Sequence, residues 1–326
     1  PDLSRRGGAH RNIRIASRQE AEQEIAAAER LGAFFVGIGE PLYPPWLRHA
    51  DQPPPLITVR GAKRYLTSAA IAIVGARNAS VAGRKMAAIL AADLGPADFV
   101  VVSGLARGID SAAHEAALPG GTIAVFAGGL DSVYPAENAG LFDRILAAEG
   151  CGISEMRFGW EPRARDFPRR NRIIAGMALA TVVIEAAERS GSLITARLAL
   201  EQNREVLAVP GSPLDPRAAG SNNLLKQGAR LVTNVRDIIE AVAPMLERPP
   251  PPPAGDFSAP PSGEPIGEPD ESDRARVLEA LGPTPVEIDE IIRFTGVPAR
   301  TVHVILLELD LAGRIERHPG QRVSLA

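Results

Sequence analysis

Between residues 71 and 233 the sequence repeats one unit, a short unbroken apolar run followed by a stretch with helical spacing. The runs fall at residues 71–75, 99–103, 122–127, 152–155, 181–185, 206–209 and 230–233. Hydrophobicity that is continuous rather than alternating predicts strands buried on both faces, the condition of a parallel sheet. The segments 81–94, 111–118, 139–148, 192–202 and 235–246 read as the intervening helices. Strand and helix alternating over roughly 180 residues predict an α/β fold, a doubly wound and mostly parallel sheet.

On either side of this core the material changes. Residues 17–31 alternate charged and alanine-rich positions as an exposed helix does, with Ser17 as N-cap and Gly32 as stop. Pro41, Pro44, Pro45 and Pro53 to Pro55 are then expected to break regular structure up to Gly61. Residues 1–65 are accordingly read as a small helical N-terminal module, and 66–247 as the α/β domain. The chain opens on Pro1 rather than methionine, which leaves room for sequence upstream. Residues 248–271 hold five consecutive prolines, Pro249 to Pro253, and then more proline, glycine, serine and acid, the composition of a semi-extended linker. Beyond it, 273–281, 286–295 and 298–312 read as helices and 314–325 as a hairpin turning at Pro319 and Gly320. Three helices and a wing predict a winged-helix-like module over 272–326.

Bulk properties exclude several function classes. A single cysteine in 326 residues rules out a disulfide framework, and only five scattered histidines argue against structural zinc. No run approaches the ~18 apolar residues of a membrane helix, and the first residues lack a signal-peptide pattern; the expected location is the cytoplasm. A net charge of −3 argues against a protein coated in positive charge, so any nucleic-acid contact has to come from a local patch. The C-terminal module has seven arginines against eight acids from Ser272 onward, with Glu308 and Asp310 on its third helix. It therefore lacks the usual drive for duplex binding, and contact with a partner or self-association is its expected use.

In an open parallel sheet ligands bind beyond the carboxyl ends of the strands. There lie Gly75-Ala76-Arg77-Asn78, then Ser103 to Asp110, then Glu185 with Ser190-Gly191-Ser192. Small residues at helix starts let a phosphate reach backbone N–H groups, although one such loop alone also fits a plain tight turn. No G-x-G-x-x-G follows the first strand and no P-loop is present, which disfavours nicotinamide cofactors and ATP. Six arginines lie between Arg157 and Arg172 against Glu161 and Asp166 only, with Trp160 and Phe167 beside them. Arginine forks for phosphate and an aromatic face for a base suit a single strand; a solvated basic loop with Phe167 in the core is the plainer reading. Asp110, His114, Glu155 and Glu185 are candidates for acid–base or metal chemistry. Helix capping by Asp110 and pairing of the glutamates with the basic loop account for them better. Cys151 reads as a small core residue.

Taken in order, these segments resemble the DprA/Smf family (DNA-processing protein A). The resemblance runs through Val74-Gly75-Ala76-Arg77, Ser103-Gly104-Leu105-Ala106-Arg107-Gly108-Ile109-Asp110 with His114, and Gly128-Gly129-Leu130-Asp131 with Tyr134-Pro135. It continues through Ser154-Glu155, the stretch from Phe167 to Gly176, Ser190 to Ala196, and Val209-Pro210-Gly211. It implies a Rossmann-like core with a sterile-alpha-motif-like N-terminal domain, here curtailed, and a winged-helix-like C-terminal domain. The expected function is single-stranded DNA binding in natural transformation and recombination. Incoming DNA is protected and the recombinase RecA is loaded, usually by a homodimer, without enzymatic activity or cofactor. The DNA site it implies comprises Arg77, Ser103, Gly104, Arg107, Gly108, Phe167, Arg169, Arg170, Asn171 and Arg172, with Ser190, Gly191 and Ser192 as phosphate cradle. The competing class is a nucleotide-acting phosphoribohydrolase of the lysine-decarboxylase-like family, whose Pro-Gly-Gly-x-Gly-Thr-x-x-Glu motif is replaced here by Ser190-Gly191-Ser192-Leu193. A duplex-reading transcription factor is a third class, which the charge of residues 272–326 opposes.

Overall fold

The computed structural model describes residues 16–247, 269–318 and 321–326. The described residues fall into two compact units, a large α/β unit and a small C-terminal one. The chain enters through α1 (Arg18–Arg30). Ser17 and Glu20 close a reciprocal cap, each backbone N–H donating to the other's side chain at 2.8 and 3.2 Å.

Nine strands make one sheet: β1 (Ala33–Gly37), β2 (Leu56–Gly61), β3 (Ala70–Gly75), β4 (Val100–Ser103), β5 (Thr122–Val125), β6 (Cys151–Ser154), β7 (Ala180–Ile184), β8 (Glu205–Ala208) and β9 (Arg230–Leu231). Their spatial order is β1-β2-β6-β5-β4-β3-β7-β8-β9. All seven apolar runs are strands, mutually parallel, with β3 paired to β7 so that Ile73 faces Val182 and Gly75 faces Ile184. Side chains alternate between two cores: Ala70, Ala72 and Val74 of β3 enter one, Ile71 and Ile73 the other.

The connections are α3 (Val81–Leu94), α4 (Ile109–Ala116), α5 (Ala139–Ala147), α6 (Asp166–Met177), α7 (Gly191–Glu201), α8 (Ala219–Lys226) and α9 (Val235–Leu246), with the four-residue α2 (Pro45–Arg48) near the front. Helices α3, α4 and α9 pack on the Ile71/Ile73 face, while α6 and α7 pack on the other.

The prolines interrupt regular structure as expected between Gly37 and Leu56, save for α2, but not as far as Gly61, because residues 56–61 are the strand β2. β1 and β2 form an antiparallel pair hydrogen-bonded to β6. The prolines lie between the two strands: Pro44 precedes α2, Pro45 opens it, and the Pro54 carbonyl accepts the buried Tyr43 hydroxyl at 2.6 Å. A second correction concerns the arginine cluster. Residues 166–177 are not a basic loop but the helix α6, with Pro168 in its first turn, where no helical partner is lost.

The C-terminal unit contains α10 (Glu271–Glu279), α11 (Ile288–Thr295) and α12 (Ala299–Leu311), with strands β10 (Val286–Glu287), β11 (Ile315–His318) and β12 (Arg322–Leu325) in the order β10-β12-β11. Glu308 on α12 is not a surface acid: it is buried and paired with Arg274 at 2.9 Å. The predicted turn at Pro319 and Gly320, and the proline-rich linker up to residue 268, lie outside the described residues. No described helix is long and apolar enough to cross a membrane.

Candidate nucleic-acid interface

From β3 the chain winds outward through β4, β5 and β6, then returns to lay β7 against the other side of β3. The loops leaving β3 and β7 therefore diverge, which opens a crevice at this switch point. Gly75 makes the close approach possible, since a Cβ there would lie 1.8 Å from the Ile184 carbonyl oxygen. Glu185 follows at φ +51° and ties the two loops together. Its carboxylate accepts from the Ser80 N–H at 2.8 Å and from the Ser80 hydroxyl. Ser80 in turn caps α3 by accepting from the Gly83 N–H at 2.9 Å.

Two clefts flank the loop after β3 and share Arg77 and Asn78. One, of about 540 Å³, is lined by Arg77, Phe167, Asn171, Arg189, Ser190 to Ser192, and Arg217. The other, of about 600 Å³, is lined by Arg77, Arg84, Arg107, Gly108, Glu115 and Glu137. Arg77 is exposed, with its guanidinium 5.3 Å from the centre of the Phe167 ring. Phe167 is half-buried and tilts against Tyr134 at 5.4 Å, whose own ring is half exposed. Arg107 is exposed and pairs with Glu137 at 3.5 Å.

Other predicted site residues build the walls. The buried Ser103 hydroxyl donates to the Ile73 carbonyl at 2.6 Å. Gly108 sits at φ +81° against the Ala76 carbonyl, with no room for a side chain. Arg170 is buried; its Nη1 donates to the carbonyls of Gly104 and Val125 at 2.7 and 2.5 Å. A Cβ on Gly104 would come within 2.7 Å of that guanidinium. Burial lowers the Arg170 pKa to about 10, and Asp110 opposes the shift, so it stays cationic at neutral pH. Asn171 is buried beside it, its amide 3.5 Å from the Gly191 carbonyl. Arg169 and Arg172 point away from both clefts, because on a helix they lie on a different face from Phe167 and Asn171. Both grip Glu155, Arg169 at 2.9 Å, and Arg172 also donates to the Gln52 carbonyl at 2.7 Å. Ser190 caps α7, with its hydroxyl 2.7 Å from that of Ser192.

The four candidates for acid–base chemistry are occupied by structural bonds. Asp110 is buried and accepts from the N–H groups of Gly104 and Ala106 at 3.1 and 3.3 Å; desolvation raises its pKa. His114 lies in the core against Thr122 at 2.7 Å, and burial lowers its pKa to about 3, leaving it neutral. Glu155 and Glu185 hold the partners given above. Cys151 is fully buried, and desolvation pushes its thiol up to about 12. Among the described residues, no three His, Cys, Asp or Glu side chains gather to hold a metal.

Sequence reasoning from the residues missed Arg84, Arg189 and Arg217 as cleft residues, and Tyr134 as the ring packed against Phe167 beside the cleft. Tyr134 was legible in principle, because it follows β5 and so belongs to the same carboxyl edge.

Residues 34–243 match the family of DNA recombination-mediator protein A, and residues 248–321 match the DprA winged helix domain. Protein Smf of Escherichia coli is 37% identical over 314 residues, covering 94% of this chain and 82% of that protein. DNA processing protein DprA of Bacillus subtilis is 40% identical over 66% of this chain and 73% of its own length. Among solved structures, DprA from Streptococcus pneumoniae superposes with a TM-score of 0.63 at 37% identity, covering 69% of this chain and 78% of that one. DNA processing protein A from Helicobacter pylori, whose structure was described for its single-stranded DNA binding mode, superposes with a TM-score of 0.59 at 26% identity, covering 67% and 97%. With a family match across most of the α/β unit and relatives that align along most of their own length, the chain belongs to the DprA/Smf family of DNA recombination mediators.

Proposed function

We propose that this protein binds single-stranded DNA along the carboxyl edge of its sheet and delivers it to RecA, acting in the cytoplasm as a homodimer in recombination and natural transformation. The observation that carries the DNA reading is the cleft at the β3/β7 switch point. It joins an exposed cation, Arg77, to Phe167, which Tyr134 backs, and to the start of α7. Phosphate contacts plus ring stacking are the two ingredients of sequence-tolerant single-strand binding. A cleft of about 540 Å³ suits a small-ligand-sized unit such as one nucleotide.

In this reading Arg77 and Arg107 neutralise phosphates, Phe167 meets a base, and Ser190, Gly191 and Ser192 offer hydroxyls and N–H groups to a phosphate oxygen. Ser103, Gly104, Gly108, Arg170 and Asn171 form the rigid wall, and Arg169 and Arg172 brace α6 through Glu155. The protein does no chemistry on the strand, in keeping with the structural bonds that occupy Asp110, His114 and Glu185. The RecA and dimer assignments rest on family membership. The H. pylori relative's single-stranded DNA binding supports the choice of ligand.

Salt-dependent binding of oligo-dT and of a matched duplex tests the reading. Native protein should prefer the single strand, and Arg77→Ala with Arg107→Ala should flatten the slope of log K against log salt by about 1.4, or ~0.7 per lost phosphate contact. A duplex preference would sink the ligand assignment, and an unchanged slope its placement. Added protein should also speed RecA filament assembly on single strands; no acceleration would remove the loading step.

A further inference from the structure

Of the six arginines in the 157–172 cluster, the structure ties up three, Arg169 and Arg172 on Glu155 and Arg170 in the wall. The other three stand on the loop between β6 and α6. Arg165 stands 4.0 Å from Asp166, whose carboxylate also feels the charge of Arg163, and among the described residues neither Arg157 nor Arg163 makes an ion pair within 4 Å. Both guanidiniums lie on Trp160, at 5.7 and 5.1 Å from its ring centre. Residues 157–165 thus carry three arginines against the single acid Glu161.

This loop is held rigidly, although its charges repel. The Phe158 N–H donates to Glu24 at 2.8 Å, and the Gly159 N–H to Asp131 at 2.8 Å. The Trp160 carbonyl accepts from the Gly129 N–H at 3.0 Å. Asp166 accepts both the Trp160 indole N–H, at 3.0 Å, and the Arg163 N–H, at 2.9 Å. Asp166 is followed by Phe167, which lines the cleft, so cleft and loop are anchored on the same first turn of α6. An ordered aromatic carrying two exposed cations, neither held in a close ion pair, fits a ligand with alternating planar rings and negative charges.

The geometry points to the loop of residues 157–165 as a second station for the same single strand, with Trp160 against a base and Arg157 and Arg163 on flanking phosphates. The inference rests on the single-strand reading above and extends the path beyond the cleft. From β3 to β6 is three strand spacings, roughly 14 Å. At about 3.4 Å or more per nucleotide, a strand seated at Arg77 crosses that spacing, toward the loop that leaves β6, within about two to four nucleotides. The path therefore runs across β4, β5 and β6, and binding should strengthen in a step once the strand is long enough to reach the loop.

The test is a titration of the full chain with oligo-dT from about two to about twenty nucleotides. Binding is followed by anisotropy of labelled DNA and by tryptophan emission, with Trp160→Phe separating the Trp160 signal from that of Trp46. Long oligonucleotides should change the Trp160 emission, and the shortest that bind should not. Arg157→Ala with Arg163→Ala should lower the salt slope by about 1.4 on long strands and leave it unchanged on the shortest. The double lysine variant should restore it. Binding of long strands with no Trp160 response and an unchanged slope would overturn the second station, as would an equal response at every length. Failure of the native protein to bind any oligonucleotide would instead overturn the single-strand reading itself. Should the alanine pair unfold, the length dependence of the native emission decides alone.

Discussion

Removing the Arg170 guanidinium would leave the Asp110 carboxylate buried without its counter-charge, a situation that typically costs 3–5 kcal/mol. Arg170→Met should lower stability by about that amount in urea unfolding, whereas Arg77→Ala, on the surface, should stay within about 0.5 kcal/mol. The pH dependence follows from the sign of the Asp110 shift. Burial raises its folded pKa, so above the ordinary carboxylate range the unfolded chain releases a proton that the folded state retains. Arg170→Met should therefore lose stability as pH rises from 4 to 7, and Asp110→Asn in the same chain should recover most of the loss. His114 behaves oppositely. Its folded pKa is about 3 against an ordinary imidazole value of 6.5, so below 6.5 only the unfolded chain takes up the proton. Native stability should fall with acidification by up to about 1.4 kcal/mol per pH unit, and His114→Asn should flatten that slope.

The joint between β3 and β7 allows almost no added volume. Gly75→Ala puts a methyl group on the Ile184 carbonyl and should destabilise by about 1–3 kcal/mol or more while disturbing both clefts. Ser80→Ala removes the cap of α3 and a partner of Glu185, at a cost of about 1 kcal/mol. The parallel strands were legible because burial on both faces leaves an unbroken apolar signature. β1 and β2 were hidden because the prolines between them dominate the local pattern. α6 was hidden because dense arginine and Pro168 resemble a loop until the helical phase is known. Topology alone puts Arg77, just after β3, beside the cleft, whereas the helical phase of α6, which turns Phe167 toward the cleft and Arg169 and Arg172 away from it, could not be read. Residues at strand ends inherit their position from topology, but a helical side chain turns about 100° with each step.

The two units differ in what they offer a nucleic acid. Arg77 and Arg107, the aromatic pair and both clefts belong to the α/β unit, while α12 of the smaller unit presents its acid Glu308 inward to Arg274. A protein ending at residue 247 should keep its affinity for oligo-dT, and fluorescence anisotropy would expose any dependence on the missing unit. The strand order has a further consequence during synthesis. Once β4 has emerged, β3 offers its other edge, Ala-Ile-Ala-Ile-Val, unpaired until β7 has been made roughly 80 residues later. At about 5–20 residues per second that wait lasts on the order of 4–16 s. An open, apolar strand edge is a template for pairing with other chains. The nascent protein is thus most prone to aggregate at the strand that later floors its cleft, and a stall between residues 103 and 180 should be more damaging than one after residue 184.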